Sequence, residues 1–178
     1  MPKQPKELQA NTQQNTQPMR QVLFILTASL FLAASCNKEH LPEYYFKCKL
    51  NGQEYVPDNC ANCRTAKLLG DTLLILGANR YVESIGIDVL EYPLKERTYV
   101  LRERRNTGAG TADYDNTIGN PSDIFRTDSL RTGQLTITTL DKKNKIVAGT
   151  FYFQAYNSLQ NQTVNITEGK FRLQYKTN

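Results

Sequence analysis

The chain has 178 residues, the length of one ordinary domain with a short extension. Hydrophobic residues make up 39% of it and charged residues 22%, which excludes both a disordered chain and a protein with many membrane spans. The net charge is +5 and there is a single His, so a hydrolase triad built on His is nearly excluded.

The first feature along the chain is an apolar run of 13 residues, Val22 to Ala34, which is shorter than the ~20 residues that span a bilayer. Arg20 precedes the run, and small residues lead directly to Cys36. This arrangement is typical of a secretory signal peptide that ends in a lipobox, where the Cys becomes the acylated first residue of the mature protein. A plain secretory signal and a buried apolar helix are the alternatives.

Three segments are therefore predicted. Residues 1–35 form a non-mature extension and lipoprotein signal peptide, with Met19 as an alternative start because residues 1–18 are too polar for such a peptide. Residues 36–42 form a lipidated tether, and residues 43–178 form a single β domain. Removal of the extension takes away three basic residues and one acidic residue from the net +5, leaving +3. That value is too close to balance to indicate a nucleic-acid partner.

Alternation of apolar and polar residues with a period of two dominates the predicted domain, and no helical stripe is present. Asn51-Gly52 is a strong hairpin signal, because both positions of such a turn need a positive φ. A two-residue turn there pairs Cys48 with Tyr55 and Lys49 with Glu54. A loop is expected to follow.

In the middle of the chain, we expect a strand over Thr72–Leu76, a turn over Gly77–Asn79 and a returning strand over Tyr81–Leu90. Residues 105–121 are rich in Gly, Asn and Asp. They predict a long irregular loop that holds only a short strand near Tyr114.

The last third predicts a three-strand antiparallel meander. Its apolar positions change from even to odd near Glu168-Gly169, which indicates a β-bulge. Roughly eight to ten strands separated by turn signals predict an antiparallel β-sandwich, with a lipocalin-like open barrel as the alternative. Six residues of the meander should share one buried face: Leu135, Ile137, Phe151, Phe153, Phe171 and Leu173.

Cys60 and Cys63 form a C-x-x-C motif. A redox pair would need a βαβ context, which is missing, and zinc would need two more ligands, for which only Cys48 and His40 remain. We expect a structural disulfide between Cys60 and Cys63, or of Cys48 with either, or else reduced thiols. The segment from Asp113 to Asn116 resembles the start of a calcium loop but lacks the Gly at the sixth position, so a polar turn is expected. No metal site and no cofactor are predicted.

Three stretches resemble a family of small Bacteroidota lipoproteins of unknown function: TGQLTITTLDKKNKIVAGTFYFQAYNS with TVNITEGKFRLQY, the early FKCKLNGQEYVP, and the central ERTYVL. The similarity covers about residues 44–176. The sequence departs from the family pattern at Glu96-Arg97, where Gly is usual. The resemblance implies a lipid-anchored all-β domain and transfers no catalytic residue.

Two tripeptides, Asp71-Thr72-Leu73 and Asp128-Ser129-Leu130, fit the O-glycosylation pattern of Bacteroidota, with Thr72 and Ser129 as the acceptors. A turn residue before a strand is the alternative reading of each. Lys38-Glu39 matches half of a surface-export signal, so the sequence leaves open whether the protein faces the periplasm or the cell surface.

The function that we expect is that of a non-enzymatic lipoprotein of the cell envelope, anchored by its lipid in the outer membrane, which binds an envelope protein or builds structure. One alternative is a module that binds a glycan or small ligand through Tyr44, Tyr45, Tyr152 and Tyr156. The other is a hydrolase that uses paired carboxylates.

Overall fold

A computed structural model describes residues 43–80, 82–103 and 107–177. Within these ranges the chain forms eleven strands and one 3-10 turn, Pro121–Asp123. The strands are β1 (Tyr45–Leu50), β2 (Gln53–Tyr55), β3 (Arg64–Leu69), β4 (Thr72–Asn79), β5 (Glu83–Leu90), β6 (Thr98–Leu101), β7 (Ala109–Asp115), β8 (Ile124–Arg126), β9 (Gly133–Asp141), β10 (Ile146–Asn157) and β11 (Gln162–Thr177). The predicted all-β fold is confirmed.

The predicted signal peptide, Cys36 and the tether over residues 36–42 lie outside the described residues. Among the residues that are described, no helix is long and apolar enough to cross a bilayer.

The strands form one sheet in the order β2-β1-β11-β3-β4-β5-β7-β6-β9-β10-β8, and β10–β11 and β7–β8 pair in addition. These extra pairings bring distant parts of the sheet together around one core, in a sandwich-like arrangement. The sheet is mixed rather than wholly antiparallel, because β3 runs parallel to β11 and β6 runs parallel to β7. Strands that pair in parallel need a long connection between them. The alternation of residues within a strand does not show the direction of its neighbour, so the two parallel pairs were not predicted.

The first hairpin has the predicted register. Asn51 and Gly52 adopt φ values of 50° and 84°, and Cys48 lies opposite Tyr55. The side chains of Cys48 and Tyr55 are both buried. The turn therefore fixes which face of β1 joins the core.

The predicted meander is formed by β9, β10 and β11, and the predicted bulge lies on β11. Phe151 lies opposite Gly169 while Phe153 lies opposite Ile166, so β11 carries one extra residue. Glu168 takes the left-handed φ of 54°. A Cβ on Gly169 would lie 2.5 Å from the Phe151 ring, so the Gly makes room for that ring.

The core prediction for the meander is confirmed, because none of its six residues is more than 3% exposed: Leu135, Ile137, Phe151, Phe153, Phe171 and Leu173. Rings from β1 and β11 contact the ring of Phe151. The centroid of Phe46 lies 5.1 Å from it and that of Phe171 lies 6.3 Å from it. The first strand of the domain is thus packed against its last two.

The expectations for the middle of the chain were partly wrong. Strand β3 was missed, because Ala66 is its one fully buried side chain and gives little alternation. The expected turn over Gly77–Asn79 is instead the end of β4, and β5 begins at Glu83. Tyr81 lies outside the described residues.

The segment predicted as an irregular loop with a short strand near Tyr114 contains that strand as β7, which is longer than expected. It is a seven-residue strand that pairs with β5, β6 and β8. Its core-facing residues include Gly110 and Ala112, which are small because the space is already filled. A Cβ on Gly110 would lie 2.8 Å from Leu101 and 3.2 Å from Val89. Residues without large side chains hide a central strand from a search for hydrophobic alternation.

Candidate functional site

The outward face of β3, β4, β5 and β7 holds a half-open depression of about 250 Å³. Alternation along each strand places the even-numbered residues of β4 and β5 and the odd-numbered residues of β3 and β7 on this face. We refer to it as the carboxylate face. Its lining residues are Thr65, Lys67, Leu74, Ile75, Leu76, Gly86, Asp88 and Asp113.

Two carboxylates on neighbouring strands meet on this face. Asp113 of β7 lies opposite Gly86 of β5, and Thr111 lies opposite Asp88. Asp88 and Asp113 are therefore diagonal neighbours across an antiparallel pair. A Cβ on Gly86 would lie only 2.9 Å from Asp113 Oδ1, so the missing side chain leaves the room that the Asp113 carboxylate occupies.

Partial burial is the largest cause that raises the pKa of Asp113, and the charge of Asp88 raises it further. Asp115 adds to the rise, whereas Arg126, its register partner on β8, lowers the pKa. The result is a pKa of about 6. Asp113 can therefore carry a proton under mildly acidic conditions, in which an ordinary surface aspartate is ionised.

The carboxylate face combines apolar and charged groups. Leu74 and Leu76 present partly exposed side chains on β4, and Lys67 lies on the adjacent β3. Such a surface can bind the apolar body of a ligand while the carboxylates accept hydrogen bonds from it. Within the described ranges, no group of three or more His, Cys, Asp or Glu residues could hold a metal ion.

Residues 44–173 match the family model of DUF6252, a domain of unknown function. The chain belongs to the DUF6252 family. Membership in an uncharacterised family was expected and is confirmed. No curated protein and no solved structure matches the chain. What the DUF6252 domain does must therefore be inferred from its own residues.

The cysteines of the DUF6252 domain occupy different environments. Cys60 and Cys63 are joined by a disulfide, with a Cα–Cα distance of 5.1 Å, in the turn before β3. Cys48 is a free thiol, 4% exposed. Burial, aided by the charge of Glu83, raises the pKa of Cys48 to about 12, so it stays protonated and unreactive.

The two expected glycosylation acceptors lie at turns. Thr72 is the first residue of β4, and its hydroxyl donates to Asp71 Oδ1 at 3.2 Å. Ser129 is exposed. It follows Asp128, whose Oδ1 accepts hydrogen bonds from the backbone N–H groups of Leu130 and Arg131 at 2.7 and 2.6 Å. Both aspartates have contacts typical of turns, and Ser129 has the exposure that a modifying enzyme needs.

The four tyrosines considered for glycan binding do not form one cluster. Tyr152 is 49% exposed beside a shallow depression of about 260 Å³ that Gln134 and Lys170 also line. Tyr156 lies farther along β10, under the Arg131 guanidinium at 4.0 Å from the ring centroid. Tyr44 and Tyr45 lie at the other end of the domain, at the start of β1.

The segment that resembles a calcium loop is not the expected polar turn. Asp113 and Asp115 lie within β7, and Asn116 follows it. The side-chain oxygen of Asn116 lies 2.9 Å from the hydroxyl of Tyr114. The strand geometry places the two aspartates side by side on the outward face instead of wrapping them around an ion.

A second ionic cluster, missed by sequence reasoning, surrounds Glu91, which is 7% exposed. Arg97 donates two hydrogen bonds to its carboxylate, and the hydroxyl of Tyr99 donates a third. Burial alone would raise the pKa of Glu91, but these contacts outweigh it and hold the pKa below its usual value. Arg97, which immediately precedes β6, thus supplies the partner of a buried charge.

Proposed function

We propose that the protein is a lipid-anchored, non-enzymatic binding module of the cell envelope, of the kind found in Bacteroidota. The apolar run that ends in small residues before Cys36 supports the anchor. On this proposal the acyl chains hold the domain at the outer membrane. The carboxylate face of the domain is its ligand-binding surface.

The observation that carries the binding role is the composition of the carboxylate face. Leu74 and Leu76 lie beside Asp88 and Asp113 on a rigid sheet, in a depression of about 250 Å³. This favours a ligand that has an apolar body and a cationic or N–H-bearing group. Such groups occur on protein side chains and on amino sugars, so an envelope protein or an envelope glycan would each supply them.

The surroundings of two further acids, the buried Glu91 and the half-buried Glu83, support a role without catalysis. Glu91 is held by Arg97 and Tyr99. Glu83 accepts hydrogen bonds from Tyr114 at 2.7 Å and from the side chain of Asn79 at 2.8 Å. Both carboxylates thus accept hydrogen bonds from neighbouring side chains of the fold, as carboxylates with a structural role do.

The test is capture of envelope components by the intact lipoprotein, followed by mass spectrometry. The variant Asp88→Asn/Asp113→Asn removes both charges of the carboxylate face, and Glu54→Gln removes one exposed charge on β2 as a control. A component that the native protein and the control retain, and the double variant loses, would support the proposal. Identical capture by all three proteins would refute the assignment of this face.

A second candidate is a carboxylate-based hydrolase, and the pKa of Asp113 is the observation that favours it. A carboxyl with a pKa of about 6 beside a second carboxylate is the arrangement that pairs a general acid with a base. Release of product from envelope glycans or peptides, lost in Asp113→Asn without loss of folding, would establish this candidate over the binding module. Absence of turnover together with specific capture would exclude it.

A further inference from the structure

The described chain begins at one end of the sheet. Tyr45, near the start of β1, lies opposite Arg172 of β11, and Arg172 lies opposite Ala148 of β10. The turn between β9 and β10 lies at the same end, because Tyr175 donates its backbone N–H to the carbonyl of Lys145 at 2.7 Å. We refer to Glu43, the β9–β10 turn and the last six residues of β11 as the entry end.

The entry end is rich in cations. Three lysines lie in the β9–β10 turn, two cations lie on β11, and one lies on the adjacent β3. They are Lys142, Lys143, Lys145, Arg172, Lys176 and Lys67. All are exposed except Arg172, which is half-buried. Acidic residues lie at this end as well: Glu43, Asp141, Asp71 in the turn that follows β3, and Glu96, whose carboxylate accepts the backbone N–H of Leu140 at 2.6 Å. Asp141 accepts two hydrogen bonds from Asn144, at 2.9 and 2.7 Å.

The register places like charges next to each other. Lys67 of β3 lies beside Lys176 of β11 in the parallel ladder. Like charges on adjacent strands destabilise a sheet unless an anion lies between or over them. Lys67 also lines the carboxylate face with Asp88 and Asp113, whereas Lys176 and the lysines of the β9–β10 turn are exposed to an external anionic surface.

The opposite end of the strands holds fewer cations. Arg64 and Arg80 lie there and Lys49 lies opposite Glu54, but acidic residues outnumber these cations. The acidic residues are Glu54, Asp58, Glu83, Asp115 and Asp123. Cations are thus more numerous at the entry end than at the far end of the strands.

We infer that the entry end lies on the anionic lipid headgroups of the membrane that holds the acyl anchor; this inference rests on the proposed acylation of Cys36. Seven residue steps separate Cys36 from Glu43, so the tether reaches at most about 25 Å. Each cation near an anionic leaflet strengthens attachment by about fivefold. The anchor keeps the domain within reach, and the cations of the entry end set its orientation.

The experiment uses the mature lipoprotein in vesicles of phosphatidylcholine, with or without phosphatidylglycerol. An amine-acetylating reagent followed by mass spectrometry measures the exposure of each lysine. We expect Lys145 and Lys176 to react at least about fivefold more slowly when phosphatidylglycerol is present. Lys49, which lies near the other end of β1 and pairs with Glu168 at 2.7 Å, should react at the same rate in both. High salt should abolish the difference, because it screens exposed charges.

Matched variants separate the charge of this end from the charge of the whole domain. The variant Lys142→Gln/Lys143→Gln should restore the acetylation of Lys176. Its attachment to the anionic vesicles should weaken by about fivefold per cation removed. Arg80→Gln/Arg102→Gln removes the same charge from exposed positions elsewhere and should leave the protection intact.

The outcomes distinguish the two proposals. A protein that does not float with vesicles of either composition would refute the lipid anchor. A protein that floats, but whose Lys145 and Lys176 react equally in both vesicle types, would refute the headgroup contact and leave the anchor standing. Protection that the control variant also loses would likewise overturn the role of the entry end.

Discussion

Arg97 donates to both oxygens of the buried Glu91 carboxylate, from Nε to Oε2 at 3.1 Å and from Nη2 to Oε1 at 2.7 Å. The guanidinium also lies 4.6 Å from the centroid of the Tyr99 ring. The pair joins the end of β5 to the start of β6, and Tyr99 accepts a hydrogen bond from the backbone N–H of Lys95 at 3.1 Å. One ion pair thus fixes the connection between two strands.

Arg97→Ala should destabilise the domain by about 2–4 kcal/mol, because it leaves the Glu91 carboxylate buried with one partner removed. This expected loss of stability is smaller than that for a fully buried pair, because 42% of the Arg97 side chain is exposed. Urea unfolding measures the change. The control Arg102→Ala removes an exposed Arg a few residues away and should cost less than about 0.5 kcal/mol. Equal costs for the two variants would contradict the structural role of the pair.

Asp113→Asn should stabilise the domain at neutral pH. The folded state raises the pKa of Asp113 from 3.8 to about 6, so the ionised carboxylate is less favourable in the folded chain than in the unfolded one. The stability that the protonated form contributes is complete below the unfolded pKa and is lost as the pH rises through about 6. After discounting for solvent exposure, we expect a gain of about 1–2 kcal/mol near pH 7.

The gain should disappear near pH 4, where Asp113 is protonated in the folded native protein. Urea titrations of the native protein and the variant at several pH values measure this dependence. A difference between them that stays constant with pH would show that Asp113 is not the titrating group.

Phe153→Ala should lower the free energy of unfolding by about 3–5 kcal/mol, the usual cost of removing a buried aromatic ring. Phe153 is 1% exposed and its ring centroid lies 6.4 Å from that of Phe151. Lys170→Ala, on the outward face of the neighbouring β11, should cost under about 0.5 kcal/mol. The reverse ordering in a urea titration would mean that β11 presents its other face to the core.

Cys36→Ala should abolish incorporation of a fatty-acid analogue. On the proposed lipidation, the Cys36 thiol carries the lipid, and Ala offers no acceptor in its place. Cys48→Ala is the matched control, because the Cys48 thiol is buried in the core and should take no label in the native protein. Label retained on the Cys36→Ala variant would refute the predicted lipidation.

The sequence was most informative where a backbone requirement selects particular residues. Asn51-Gly52 marked its hairpin because few residues accept positive φ, and Glu168-Gly169 marked the bulge by reversing the alternation. The meander followed from Phe151 and its neighbours. Strand β7 was expected only as a short strand near Tyr114, because Gly110 and Ala112 carry no large side chain into a crowded part of the core.

The carboxylate face could not be predicted, because it depends on which strands are neighbours. Asp88 and Asp113 are 25 positions apart in the sequence, and only the pairing of β5 with β7 brings them together. A local signal did exist. Asp88 stands between Ile87 and Val89, where a single outward carboxylate interrupts an apolar strand.

Strand β11 has a consequence for the order in which the protein can fold. It spans sixteen residues at the end of the chain and pairs with β10, with β1 and with β3. Until β11 has been made, β1 therefore lacks its longest partner strand. Contacts between such distant segments form late and slowly. The pairing of β1 and of β3 with β11 is therefore expected to be among the last steps of folding.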